Sequence, residues 1–470
     1  MSTSIRTRYR AALVCATVLG AALAATVGTA AAATTGAEKP DHLVNGRFQC
    51  ATDPSAPAYL SFDGLGAGSY VNLQSVPRDA DATDNPALTA QYQLWPTSDP
   101  TKVSTYTHAN VSTNFAGSVS VLTSALVEGQ TYAWQARTVA GSDTSAWTHT
   151  CYFVLDATAP SAAPTITSAN YPTGGWDQGG APVQFTLGAN GVGDVAGYAF
   201  SWQQAIPVPD LGSTGDYDIL TPGKPWADTA HMVQASTLGG TATLDLIPPA
   251  GVYGPATLWV ESLDRAFNIS SETSYQVLIS STAPTITPPA TAPVFGKKAS
   301  FTFTPNATAE AASPIVSYTV TIGGEAAHTY RADADGSATV SLKLEQPAND
   351  EVTVSSTSAN GWVSDSAFQS YYFDTTPTIT SDLYPENGSG GGAGVTGTFT
   401  FAPKVPGVVS YTYSFDWGNT ETTVPADANG DAQITWTPTD GDGAFYDLNV
   451  YATTKDGTNL TAYDYFITVN

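Results

Sequence analysis

A chain of 470 residues is too long for one hydrophobic core and suits three or four domains, and its 42 Gly, 31 Pro, 11% aromatic and 12% charged residues make a turn-rich, all-β composition. A formal charge of −25 argues against nucleic acid and anionic surfaces as partners, because a polyanion repels both. Five dispersed histidines and three cysteines leave little material for a metal centre or a nucleophilic site.

The chain opens with Arg6, Arg8 and Arg10, an apolar run from Ala11 to Val27 and the small-residue tract Ala30 to Ala33. This pattern predicts a cleaved secretory signal peptide over 1–33, which takes Cys15 with it. Losing its three Arg and no acid shifts the formal charge from −25 to −28. Residues 34–45, mostly small and polar, are expected to be a flexible lead. Cys50 and Cys151 then remain, and an isolated pair in an exported chain predicts a disulfide. It closes about 100 residues, for which chain entropy gives roughly 4.7 kcal/mol. No further apolar run is long enough to span a membrane, so the mature protein is expected to be extracellular, released or loosely associated with the cell wall.

Three copies of one tetrapeptide organise the rest: Pro164-Thr165-Ile166-Thr167, Pro284-Thr285-Ile286-Thr287 and Pro377-Thr378-Ile379-Thr380. A tyrosine follows 34 residues after each proline, at Tyr198, Tyr318 and Tyr411. Runs of period two, such as Val183 to Leu187, Phe301 to Phe303 and Phe399 to Phe401, read as half-buried strands. The predicted modules are 46–157, 158–281, 282–374 and 375–470. Each ends in a hairpin, around Gly141, Phe267, Gly361 and Gly457, where Asn360-Gly361 and Asp456-Gly457 supply positive φ. Pro- and Thr-rich junctions such as Ala157 to Pro160 predict an extended, semi-rigid rod.

In the first module, Leu126 to Arg137 is a turn followed by a strand with Tyr132, Trp134 and Ala136 on one face. This segment resembles the sixth strand of a fibronectin type III domain. The resemblance gives Tyr132 a corner role, its hydroxyl bonding back to the chain just upstream, and places Trp134 in the core. The ending TSAWTHTCYFVLDATAP and the segments YPENGSGGGAGVTGTFTF and PGVVSYTYSFDWG are similar to those of secreted actinobacterial repeat proteins with Ig-like and fibronectin-like modules, which often precede laminin-G-like or repeat-type domains. What the resemblance implies is a tandem array of four Ig-like or fibronectin type III-like β-sandwich domains, exported, with no activity specified.

No G-x-S-x-G, H-E-x-x-H or C-x-x-C occurs, so the chain is expected to be no enzyme and to carry no cofactor or metal. Asp333 to Gly336 and Asp427 to Gly430 echo half of a calcium loop but lack its closing Glu, and read as turns. One departure from the repeat points to a site. From opening proline to fifth strand the spacing is 56 and 57 residues in the last two modules but 80 in the second (Pro164 to Leu244), an insertion of about 23 residues within 203–239. It carries Tyr217 and Trp226, able to stack on sugar rings, and Asp216, Asp218 and Asp228, able to bond hydroxyls or a metal ion. The competing reading is an extra hairpin or helix covering a sheet edge. The expected function is adhesion, recognition of an extracellular polysaccharide or surface protein, or cell-surface spacing. The alternatives are a secreted hydrolase or accessory subunit of a polysaccharide-degrading enzyme, and a self-assembling envelope protein.

Overall fold

The computed structural model describes residues 36–61, 70–80 and 87–470; the predicted leader lies outside them. The chain is all-β; among the described residues eight of its nine sheets fall in four successive pairs along the sequence, the ninth being a two-stranded hairpin, Gly212–Thr214 with Leu220–Pro222. In the first pair a four-stranded sheet (Phe48–Gln49, Ala37–Asn45, Tyr70–Asp79, Gly117–Leu122) faces a larger one centred on Leu88–Pro96 and Thr131–Ala140. In the second, Thr165–Ser168, Val183–Gly188 and Ala242–Leu246 oppose a five-stranded sheet containing Gly197–Ser201, Gly254–Leu263 and Thr273–Ile279. The third and fourth pairs repeat this plan, with four- and five-stranded second sheets. Pairing is antiparallel except for a short strand laid parallel to the final strand in three pairs: Ala58–Leu60, Trp176–Asp177 and Gly388–Gly390. Val183–Gly188 shows how sequence makes sheet: Val183, Phe185 and Leu187 point into the core while Gln184 and Thr186 face solvent.

Residues 36–45 are not a flexible lead. Ala37–Asn45 is a strand paired with Tyr70–Asp79, and Pro40, Leu43, Val44 and Asn45 turn inward. Register shifts on both sides of Asp41, with His42 at φ 49°, break the alternation by which a strand is read from sequence. The predicted disulfide is present, joining Cys50, just after the strand Phe48–Gln49, to Cys151, which opens Cys151–Leu155.

The recurring tyrosines share one structural role. Each buried hydroxyl donates to a glycine carbonyl at the turn before the next core strand: Tyr198 to Gly240 (2.6 Å), Tyr318 to Gly336 (2.6 Å) and Tyr411 to Gly430 (2.7 Å). Tyr92 makes the same bond to Gly117 in the first pair. Burial pushes the Tyr198 phenol up to about 12. Two of these turns, at Gly336 and Gly430, are the ones that echo calcium loops. Asp427 Oδ1 accepts the Asn429 and Asp431 amides, and Asp335 Oδ1 the amide and hydroxyl of Ser337, so both carboxylates shape their own turns. Tyr132 accepts the Val127 amide at 2.8 Å, the upstream bond implied for it, and Trp134 is fully buried.

The final hairpin loops of the second and third pairs each lean on the pair before. Asn268 Nδ2 donates to the Asp156 carbonyl and Asn360 Nδ2 to the Gly180 carbonyl, both at 2.8 Å. Trp362, from the third pair's loop, is 2% exposed within the second pair's core and donates Nε1 to Thr282 Oγ1 at 3.0 Å. The cores of the third and fourth pairs form one continuous apolar cluster.

Candidate functional site

The insertion occupies the connection between Gly197–Ser201 and Met232–Gln234, two strands that pair directly. It folds as a small hairpin, Gly212–Thr214 against Leu220–Pro222, with short 3-10 turns at Asp216–Asp218 and Pro225–Ala227. The tip reaches the first pair. The Ala116 amide donates to the Tyr217 carbonyl (2.9 Å), Gln74 Nε2 to the Asp218 carbonyl (3.0 Å), and the Leu220 amide to Gln74 Oε1 (2.7 Å). Tyr217 and Asp218 take positive φ (59° and 58°) to make this approach. The Tyr217 ring meets Phe115 edge-on, centroids 4.9 Å apart.

The predicted site residues are therefore not brought together on one surface. Tyr217 and Asp218 belong to the contact with the first pair, beside the exposed Asp216. Asp228 pairs with His231 Nδ1 at 2.9 Å. Trp226 lines a cavity. It is half-buried, its ring seated over Gly197, where an added Cβ would lie 2.5 Å from Trp226 Cη2.

That cavity is a cleft of about 1300 Å3 between the first two pairs. Its wall is the stretch Leu220 to Ala227 of the insertion; opposite stand Pro40 to Cys50 and His149. Its aromatic lining is a row of three rings, Phe48 stacked on Phe267 (6.1 Å, 16°) and Phe267 against Trp226 (5.1 Å). Phe267 sits in the loop position that Gly361 and Gly457 hold in the later pairs, three residues after the carbonyl to which each amide bonds, and it shares their positive φ at 63°. A bulky residue there is a backbone outlier. The preceding Asp264 fixes it, fully buried, with Oδ1 accepting the Ala266 and Asn268 amides and Oδ2 the Asn268 side chain. Burial pushes this carboxyl up to about 6.

The cleft's charge is opposite to that of the chain. Arg47 and Lys224 line it, and neither is in an ion pair among the described residues. Arg47 donates one bond to the Gly212 carbonyl (3.0 Å), closing the wall, and a guanidinium has further donors to offer. The acid of the lining, Asp41, is engaged by Arg78 at 3.0 Å and by His42. Burial opposes ionisation of Asp41, but the bonds and charges of His42 and Arg78 outweigh it and hold its carboxyl below the usual range. His149 Nε2 lies 3.4 Å from Cys50 Sγ; Cys50, His149 and Cys151 cluster as metal ligands would, but both sulfurs are bound in the disulfide. Sequence reasoning missed Arg47, Phe48, Lys224 and Phe267. The one available signal was Phe267 in a slot that the repeat fills with glycine.

Among the described residues no helix is long and apolar enough to cross a membrane. No protein-family model and no curated protein matches the chain. Among solved structures it is similar to a tetra-tandem repeat in the extending region of a large adhesion protein, at 15% identity over 86% of this chain and 96% of that one, with a TM-score of 0.22.

Proposed function

We propose that this is an exported, non-catalytic array of Ig-like and fibronectin type III-like β-sandwich domains acting in adhesion at the cell surface, and that the cleft between its first two sheet pairs recognises an acidic polysaccharide. The observation that carries the reading is the juxtaposition of Arg47 and Lys224 with the row Phe48, Phe267 and Trp226: cations for carboxylates beside rings for sugar faces. The net charge of −25 opposes such a ligand at long range. At physiological salt that repulsion is screened beyond about 8 Å, so contacts inside the cleft decide. The non-catalytic reading is supported by Asp264, whose raised carboxyl is enclosed and committed to its own loop.

The test is retention of the full mature chain on polygalacturonate and on cellulose, with Lys224→Ala alongside. Retention on the acidic polymer, lost in the variant and weakening as salt rises, is expected. Equal retention on both polymers, or retention that strengthens with salt, would overturn the cleft as an acidic-glycan site.

A further inference from the structure

The fourth sheet pair carries a second constellation, far along the chain from the cleft. Trp417, Phe445 and Phe466 meet on the outward face of its five-stranded sheet, with centroids 5.6 to 6.3 Å apart and mutual tilts of 21° to 42°. Trp417 is 63% exposed and Phe445 54%. Large aromatic residues so placed cost solubility and contribute nothing to a core. The loop presenting Trp417 is nonetheless fixed: Trp417 has φ 61°, Asp416 Oδ1 accepts the Thr420 amide at 2.8 Å, and Ser414 Oγ accepts the Gly418 amide at 3.1 Å. Rigid presentation of an aromatic ring lowers the entropy lost on binding.

Beside the rings lies Asp447, two residues from Phe445, opposite Phe466 in the ladder and bridged to Asp416. It is 3% exposed, and its Oδ1 has no hydrogen-bond partner. Such a group destabilises the fold until something supplies a donor. The next pair along the same face, Asn449 and Asp464, is bonded Nδ2 to Oδ1 at 2.6 Å.

We propose that Trp417, Phe445 and Phe466, with the Asp447 carboxylate beside them, bind a pyranose chain free of acidic groups. The rings take the apolar faces of the sugars, and Asp447 accepts a hydroxyl or amide proton. Charge excludes an anionic occupant. None of the five strands contains Lys or Arg, while Asp416, Asp447 and Asp464 crowd the face, which rejects anions. A second copy docked by two-fold symmetry would set those acids against themselves. An apolar protein surface would bury the Asp447 carboxylate with no donor.

The experiment is titration calorimetry of the full mature chain with cellohexaose, chitohexaose and hexagalacturonate, alongside sedimentation. Binding of a neutral hexaose and not of the acidic one is expected. Trp417→Ala should weaken it at least tenfold with an unchanged melting temperature, and Asp447→Ala should weaken it while keeping or raising thermal stability. Lys224→Ala, in the cleft, should leave it unchanged, which separates this site from the other. The proposal is overturned by no neutral binding at millimolar ligand, by wild-type affinity in Trp417→Ala, or by a concentration-dependent dimer that this variant abolishes.

Discussion

Replacing Phe267 by Ala and by Gly separates the two forces acting on the centre of the cleft. The ring packs between Phe48 and Trp226 and is half-buried. Fully buried phenylalanine truncations cost about 3–5 kcal/mol, so losing half that burial costs about 2 kcal/mol in either variant. The backbone at φ 63° adds a second effect with the opposite consequence. A left-handed conformation costs an L-residue roughly 1–2 kcal/mol, which glycine escapes, less the extra freedom that glycine gains when unfolded. The smaller side chain should therefore give the more stable protein, Phe267→Gly exceeding Phe267→Ala by about 1 kcal/mol. Denaturant titration followed by tryptophan fluorescence reads this, since Trp226 is 5.1 Å from the ring. Both variants should lose polygalacturonate retention. Equal stabilities, or a more stable alanine variant, would refute the claim that the Asp264-braced loop holds position 267 left-handed whatever its side chain.

Trp362→Ala removes a third-pair ring from the second pair's core and should cost about 3–5 kcal/mol. Calorimetry should show the unfolding of these two pairs separating, and a single unshifted transition would count against the joint. Tyr318→Phe leaves the Gly336 carbonyl without its 2.6 Å partner and should destabilise the third pair by about 1–2 kcal/mol in urea melts, while Tyr372→Phe, exposed, should do nothing. Asp264 gives the pH dependence. Its carboxyl is raised from 3.8 to about 6, chiefly by burial and further by Asp156, so folding takes up a proton and the associated stability is present below pH 3.8 and lost as pH rises through 6. Asp264→Asn should flatten the fall in second-pair stability between pH 4 and 7; an unchanged slope assigns it to other acids.

The repeat was legible because its causes are local. A proline opening, a period-two strand and a tyrosine bonding to one turn carbonyl recur at fixed spacing, so Tyr198, Tyr318 and Tyr411 announced themselves. The strand Ala37–Asn45 was hidden because its bulges at Asp41 scramble the alternation that identifies strands. The insertion was visible as extra length, but its role was not. Tyr217 and Asp218 are an aromatic and an acid in an irregular loop, which in sequence reads as a binding surface, whereas in space they hold Phe115, Ala116 and Gln74 of the first pair.

That attachment changes what the insertion is for. A loop braced at its tip by three hydrogen bonds and at its base by pairing of the flanking strands has two fixed ends, so the stretch between them, Leu220 to Trp226, can serve as a rigid wall. The opposite side is held by the Asn268 to Asp156 bond and by Arg265 lying 3.7 Å over the Tyr59 ring. The tip bonds and these last two contacts all cross from one repeat to the next, and a period read from a single chain has no means of reporting contacts between periods. The departures from the repeat therefore mark the cleft twice over: once as added residues in the second pair, and once as an aromatic side chain in a glycine slot.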